Sequence, residues 1–150
     1  MSDAEMRKLV DAIPVPVFDE LAFVSAPALA SARVAIVTTA GLLAPGQAPW
    51  GAGGDQSFRV IASEERDLAL GHWSPNFDRV GLTVDLNVAY PADRLAEMAD
   101  EGVIGSVGVH HISFMGAQDE TMATIRVDSG PAAARVLRDD GVDVVLLTPV

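Results

Sequence analysis

The segment Arg33-Val-Ala-Ile-Val-Thr-Thr39 constrains this chain more than any other. It is a short, nearly continuous run of β-branched and apolar residues, which reads as a strand covered on both faces, as in a parallel sheet. The run leads straight into Ala40-Gly-Leu-Leu-Ala-Pro-Gly46 and then a Gly/Pro-rich loop through Gly54. A strand followed by a small-residue loop puts that loop at a sheet's carboxyl edge, where open α/β folds keep their ligands. With 150 residues the chain has the length of one domain and enough material for a real core. Its apolar share is mostly Ala, Val and Leu, with few aromatics, and this suits β-branched strands packed by Ala/Leu helices.

The rest of the chain extends that pattern. Residues 3–13 carry Met6, Leu9, Val10 and Ile13 at helical spacing, and Pro14 and Pro16 end the helix. Phe58–Ile61 reads as a short strand, residues 71–81 as a turn-rich loop, and 83–88 as a further strand. Pro91 opens a helix over about 92–101, which Gly102 closes. Val103 to Phe114 is apolar with glycines and a pair of histidines; a helix or turn near 117–122 and a strand-like piece at Thr124–Val127 follow. Ala132–Asp139 forms another helix, closed by Gly141, before the apolar strand that starts at Val142. Helix, glycine and buried strand make half of a βαβ crossover. The expected fold is α/β: a mainly parallel sheet with helices on both faces, three layers, in a single domain over residues 1–150 that is C-terminally incomplete.

Charge and composition exclude some functions. A net charge of -11 repels a phosphate backbone, so nucleic acid is not an expected partner. The N-terminus lacks the basic-then-apolar layout of a signal peptide. The most apolar stretch, Ala26 to Ala44, is broken by Pro27, Ser31 and Arg33, so no membrane span is expected and the cytoplasm is the default location. Without a cysteine, the 150 residues hold no disulfide, thiolate metal site or cysteine nucleophile.

Several groups of residues qualify as sites. The glycines of 41–54 match neither the dinucleotide nor the Walker fingerprint, and they read better as a flexible loop at the ligand edge. His110 and His111 are adjacent; on a strand they point to opposite faces and do not readily share one metal, so no metal site is expected. The cluster His72, Asn76, Asp78, then Asp85 and Asn87, is more suggestive. On a strand Asp85 and Asn87 share a face between apolar neighbours, either a polar outer face of an edge strand or a binding surface. The acidic residues of 91–102 decorate a solvated helix face, with Asp93 favouring the helix dipole.

Three runs then carry a family resemblance: Val84-Asp-Leu-Asn-Val-Ala-Tyr-Pro-Ala-Asp-Arg-Leu95, Glu101-Gly-Val-Ile-Gly105 and His111-Ile-Ser-Phe-Met-Gly116. Supporting pieces are Ala35–Gly41, Gly54–Ile61, His72 with Asp78, and the tail Gly141–Val150. Together these segments resemble selenoprotein B of the glycine, sarcosine, betaine and D-proline reductases, closest to the D-proline branch, over roughly residues 33–150. The resemblance implies reductive cleavage of a C–N bond in a small amino acid or amine, other reductase subunits as partners, and assembly as an oligomer. It also implies a selenocysteine or cysteine nucleophile directly after a strand ending like Leu-Thr-Pro-Val, which here is Val150; the 150 residues themselves then lack the reactive atom and are inactive alone. Within them, His72 and His111 are the acid/base candidates, and Asp78, Asp85 and Asn87 the substrate-binding candidates. A metal-dependent lyase or isomerase, and a non-catalytic assembly subunit, are the competing readings.

Overall fold

A computed structural model describes residues 2–12, 23–52, 54–74, 77, 79–119 and 121–150. Its central strand is the one the sequence marks most strongly, β1 (Arg33–Thr38). Two-residue β2 (Leu42–Leu43) and β4 (Ala69–Leu70) pair antiparallel in a small separate ribbon. The main sheet adds β3 (Phe58–Ala62), β5 (Ser106–Val107), β6 (His110–Phe114) and β7 (Val144–Thr148). β5, β6 and β7 all run parallel to β1, and β3 closes the far side antiparallel to β6. The mainly parallel sheet is therefore as expected.

β1 also explains the layering. Val34 and Ile36 face one core, which contains Tyr90 and Leu95, while Ala35 faces a second core with Ile112, Phe114, Ala133 and Leu137. Alternate residues of one strand thus serve opposite layers, as the pleat demands. Helix α3 (Ala92–Asp100) supplies Ala92 and Leu95 to the first core, and α4 (Gly130–Asp139) supplies Ala133 and Leu137 to the second. Gly102 and Gly141 adopt φ of +72° and +71°, the left-handed conformation that ends both helices.

The structure corrects two expectations. Residues 83–88 are not a strand: helix α2 (Val80–Val84) is followed by a 3₁₀ turn at Leu86–Val88. The Asp85 carboxylate accepts the Asn87 backbone N–H at 2.9 Å, and this local capping bond competes with a ladder. Thr124–Val127 is not strand-like either, since Ile125–Ser129 winds as a wide helical turn running into α4. Helix α1 (Asp3–Asp11) forms as its spacing predicts, yet Met6 and Leu9 stay exposed. The two prolines expected to end it lie outside the described residues.

Candidate functional site

The carboxyl ends of β1, β6 and β7 meet at one place. Thr38 and Thr148, paired across β1 and β7, both donate their hydroxyls to the Ala89 carbonyl, at 2.9 and 2.8 Å. Just beyond them Thr39 and Val150 are joined twice: the Val150 N–H donates to Thr39 Oγ1 at 2.9 Å, and that hydroxyl donates to the Val150 carbonyl at 3.2 Å. Gly116, two residues past β6, is the third corner. A Cβ there would lie 2.7 Å from the Val150 oxygen, 2.9 Å from the Thr39 oxygen and 3.0 Å from His72 Nε2. Only a residue without a side chain fits, and three polar atoms converge on the space this leaves.

His72 reaches the edge from the loop after β4. The Gly41 carbonyl accepts both the Gly71 N–H, at 2.9 Å, and the Trp50 indole N–H, at 2.8 Å. Gly71 packs so closely on Trp50 that a Cβ would collide with the indole ring. The His72 ring stacks on Phe77 with centroids 4.2 Å apart, and its Nδ1 accepts the Ser74 N–H at 3.3 Å. The His72 carbonyl accepts from Arg79. The residue is 5% exposed, and its Nε2 is buried with no hydrogen-bond partner among the described residues. Burial first, then the Arg79 charge, holds its pKa below the ordinary imidazole value.

His111 lies elsewhere. It stands near the start of β6, fully buried on the Tyr90 side, its ring edge-on to Tyr90 with centroids 5.5 Å apart. β1 changes partner there, from β5 at Val34 to β6 at Val37, and the Ile36 N–H donates to His111 Nδ1 at 3.1 Å. The imidazole thus fills a gap in the ladder. Burial, with a smaller contribution from the Arg66 charge, pushes its pKa down to about 4. His110 points the other way, Nδ1 lying 2.8 Å from the Asp140 carboxylate.

Asp85 and Asn87 do not share a strand face. Asp85 Oδ1 accepts the Asn87 side-chain N–H at 3.0 Å, and Asn87 in turn donates to Asp93 Oδ2 at 3.1 Å and accepts the Asp93 backbone N–H at 3.2 Å. Asn87 thus holds the first turn of α3, while Asp85 caps the 3₁₀ turn before it. The Asn87 bonds hold the exposed Asp85 carboxyl below its ordinary pKa. Asp78, and Asn76 beside it, lie outside the described residues. Among the described residues no group of three His, Cys, Asp or Glu is placed to hold a metal ion, and no helix is long and apolar enough to cross a membrane.

Sequence reasoning missed Thr39, Thr148 and Gly116. The signal was present as small or hydroxylated residues at the ends of three strands, but it acquires meaning only once those ends are known to be neighbours.

Fold and site together define an α/β protein whose candidate chemistry gathers at the carboxyl edge of a parallel sheet. No family model and no solved structure matches the chain. It is similar to the D-proline reductase subunit gamma of Acetoanaerobium sticklandii, with 34% identity over 117 residues that make up 77% of this chain and 47% of the relative. The chain thus spans about half the length of the curated relative it matches, and the likeness supports a D-proline-reductase-like family.

Proposed function

We propose that this chain is the substrate-handling part of a reductase-complex subunit that reductively cleaves a C–N bond in a small amine such as D-proline, glycine, sarcosine or betaine. The observation that carries the reading is the meeting of Thr39, Gly116, Val150 and the unpartnered His72 Nε2 at one carboxyl edge, in a chain similar to a D-proline reductase subunit.

In this proposal a selenocysteine or cysteine follows Val150 at that edge. Its selenolate or thiolate attacks the carbon bearing nitrogen, a carbon–selenium or carbon–sulfur bond forms, and the C–N bond breaks. The bond pair leaves with nitrogen, which takes up a proton. A second thiol then attacks selenium or sulfur, the carbon leaves with its bonding pair and is protonated, and a dithiol supplies the two electrons overall. The 150 residues contain no cysteine, so every thiol in this scheme comes from outside them. Asp85 suits a substrate ammonium: both of its hydrogen bonds fall on Oδ1, and the residue is exposed.

The test is to express the reading frame beyond codon 150 with selenium incorporation and assay it with its partner subunits. Dithiothreitol oxidation dependent on one of the four amines is the expected result. No amine-dependent oxidation by an assembled complex, or a continuation without selenocysteine or cysteine, would overturn the proposal.

A further inference from the structure

Resting on that reading, we infer that Arg79 anchors the substrate's carboxylate and that the Trp73 indole beside it is the wall against which the amine packs. D-proline, glycine, sarcosine and betaine share a carboxylate one carbon from nitrogen, and Asp85 answers only the cationic end of such a molecule. The chain has 21 acidic residues against 10 lysines and arginines, so a cation in this sequence readily finds a carboxylate. Arg59, Arg66 and Arg94 do, pairing with Asp55, Asp93 and Glu97. Arg79 does not: among the described residues its guanidinium bonds the His72 carbonyl and pairs with no carboxylate. A guanidinium carries five N–H donors in a planar fork that matches a carboxylate, and this one is on an exposed residue.

The same bond fixes where the guanidinium stands. The carbonyl that accepts from Arg79 belongs to the peptide joining His72 to Trp73, so the charge is held beside the tryptophan's backbone. That loop packs on the carboxyl edge of the sheet: His72 N and Cα lie 3.2 and 3.3 Å from where a Cβ on Gly41 would stand. The two tryptophans differ in what engages them. Trp50 gives its indole N–H to the Gly41 carbonyl and lies under the Arg59 guanidinium. Trp73 is 43% exposed, and among the described residues no hydrogen bond, ring or cation engages its indole. An indole face attracts the CH groups around a cationic nitrogen. It suits betaine in particular, whose quaternary nitrogen has no N–H for a carboxylate to accept. Trp73 and Arg79 are both exposed, so a small zwitterion has room at this lip, outside the crowded corner at Gly116.

The two tryptophans make the test direct in the 150-residue chain. In a nitrogen–proton spectrum Trp73 gives the reporting indole signal, and Trp50, bonded to the Gly41 carbonyl, gives the control. D-proline and betaine are titrated alongside D-prolinamide, which keeps the amine and lacks the carboxylate, into wild type, Arg79→Gln and Arg79→Lys. D-proline and betaine should shift the Trp73 signal to saturation, with D-prolinamide binding at least about tenfold more weakly, the factor expected for a lost hydrogen bond between charged groups. An acidic chain attracts the cationic amide, so the field of the whole molecule runs against this result. Arg79→Gln should remove the preference for D-proline, and Arg79→Lys, which keeps the charge and loses the fork, should retain part of it. An unmoved Trp73 signal, equal affinities in wild type, or an undiminished preference in Arg79→Gln overturns the inference. Binding needs no thiol or selenol, so an assembled complex that reduces no amine removes the proposed function and leaves this result standing.

Discussion

Acidifying the protein through the range between pH 6.5 and pH 4 tests the fully buried His111. His111 is fully buried, and its pKa is pushed down from 6.5 to about 4. Because the folded value is the lower one, the unfolded chain takes up the proton first. The stability tied to this residue is therefore complete above pH 6.5 and is lost as the pH falls towards 4. With one pKa unit equivalent to about 1.4 kcal/mol, the loss between pH 7 and pH 4.5 is on the order of 2–3 kcal/mol. That is a sizeable part of the ~5–15 kcal/mol of a typical domain. The exposed carboxylates Asp85, Asp93 and Asp119 also have lowered values, but from an ordinary value of 3.8, so their contribution belongs to more acidic pH. His72 shifts in the same direction as His111, so a comparison between variants is needed to separate the two. Urea unfolding at intervals from pH 7.5 to 4.5, on wild type and His111→Gln, provides it. The glutamine retains an oxygen to accept from the Ile36 N–H but has no proton to gain. Wild type should show the steeper loss, by on the order of 2–3 kcal/mol; parallel curves would refute the claim that His111 is a neutral patch in the sheet.

Two substitutions probe the edge itself. Gly116→Ala places a methyl 2.7 and 2.9 Å from the backbone oxygens of Val150 and Thr39, and overpacking of this kind costs about 1–3 kcal/mol. Thermal unfolding should shift down by several degrees, with faster amide exchange at Val150; an unchanged melting curve and exchange rate would show that the corner is slack. Asp85→Ala removes the acceptor for two Asn87 N–H groups and should cost about 1 kcal/mol through the lost cap. In the complete protein the same change should also weaken amine binding, and unchanged substrate affinity removes Asp85 from substrate recognition.

The strand at Arg33–Thr38 was legible because every term agreed: β-branched residues, an unbroken apolar run and a small-residue loop after it. The helices closing at Gly102 and Gly141 were legible for a similar reason, since glycine alone meets the left-handed turn without strain. Residues 83–88 misled because Val84, Leu86 and Val88 alternate with polar residues as strand residues do. What alternation does not report is the competing local bond from Asp85 to the Asn87 N–H, which closes the backbone into a turn. The adjacent histidines were legible as pointing oppositely. Which one bonds into the ladder was not, because this depends on the gap between β5 and β6, a property of three strands together.

The same distinction explains why the edge could be anticipated as a region and not as a set of atoms. A strand followed by glycine predicts where a parallel sheet offers space. It does not say which other strand ends arrive there, and here they come from positions near 39, 116 and 150 of the chain. Thr39 and Val150 hold each other by backbone and hydroxyl, Gly116 stays bare so that both can approach, and a separate loop brings in His72. Each of these residues is unremarkable in its own segment. Joined, they leave His72 Nε2 buried without a hydrogen-bond partner among the described residues. A buried ring nitrogen without a partner among the described residues, beside two backbone oxygens that exclude a side chain, is a feature that no single segment carries and only their meeting produces.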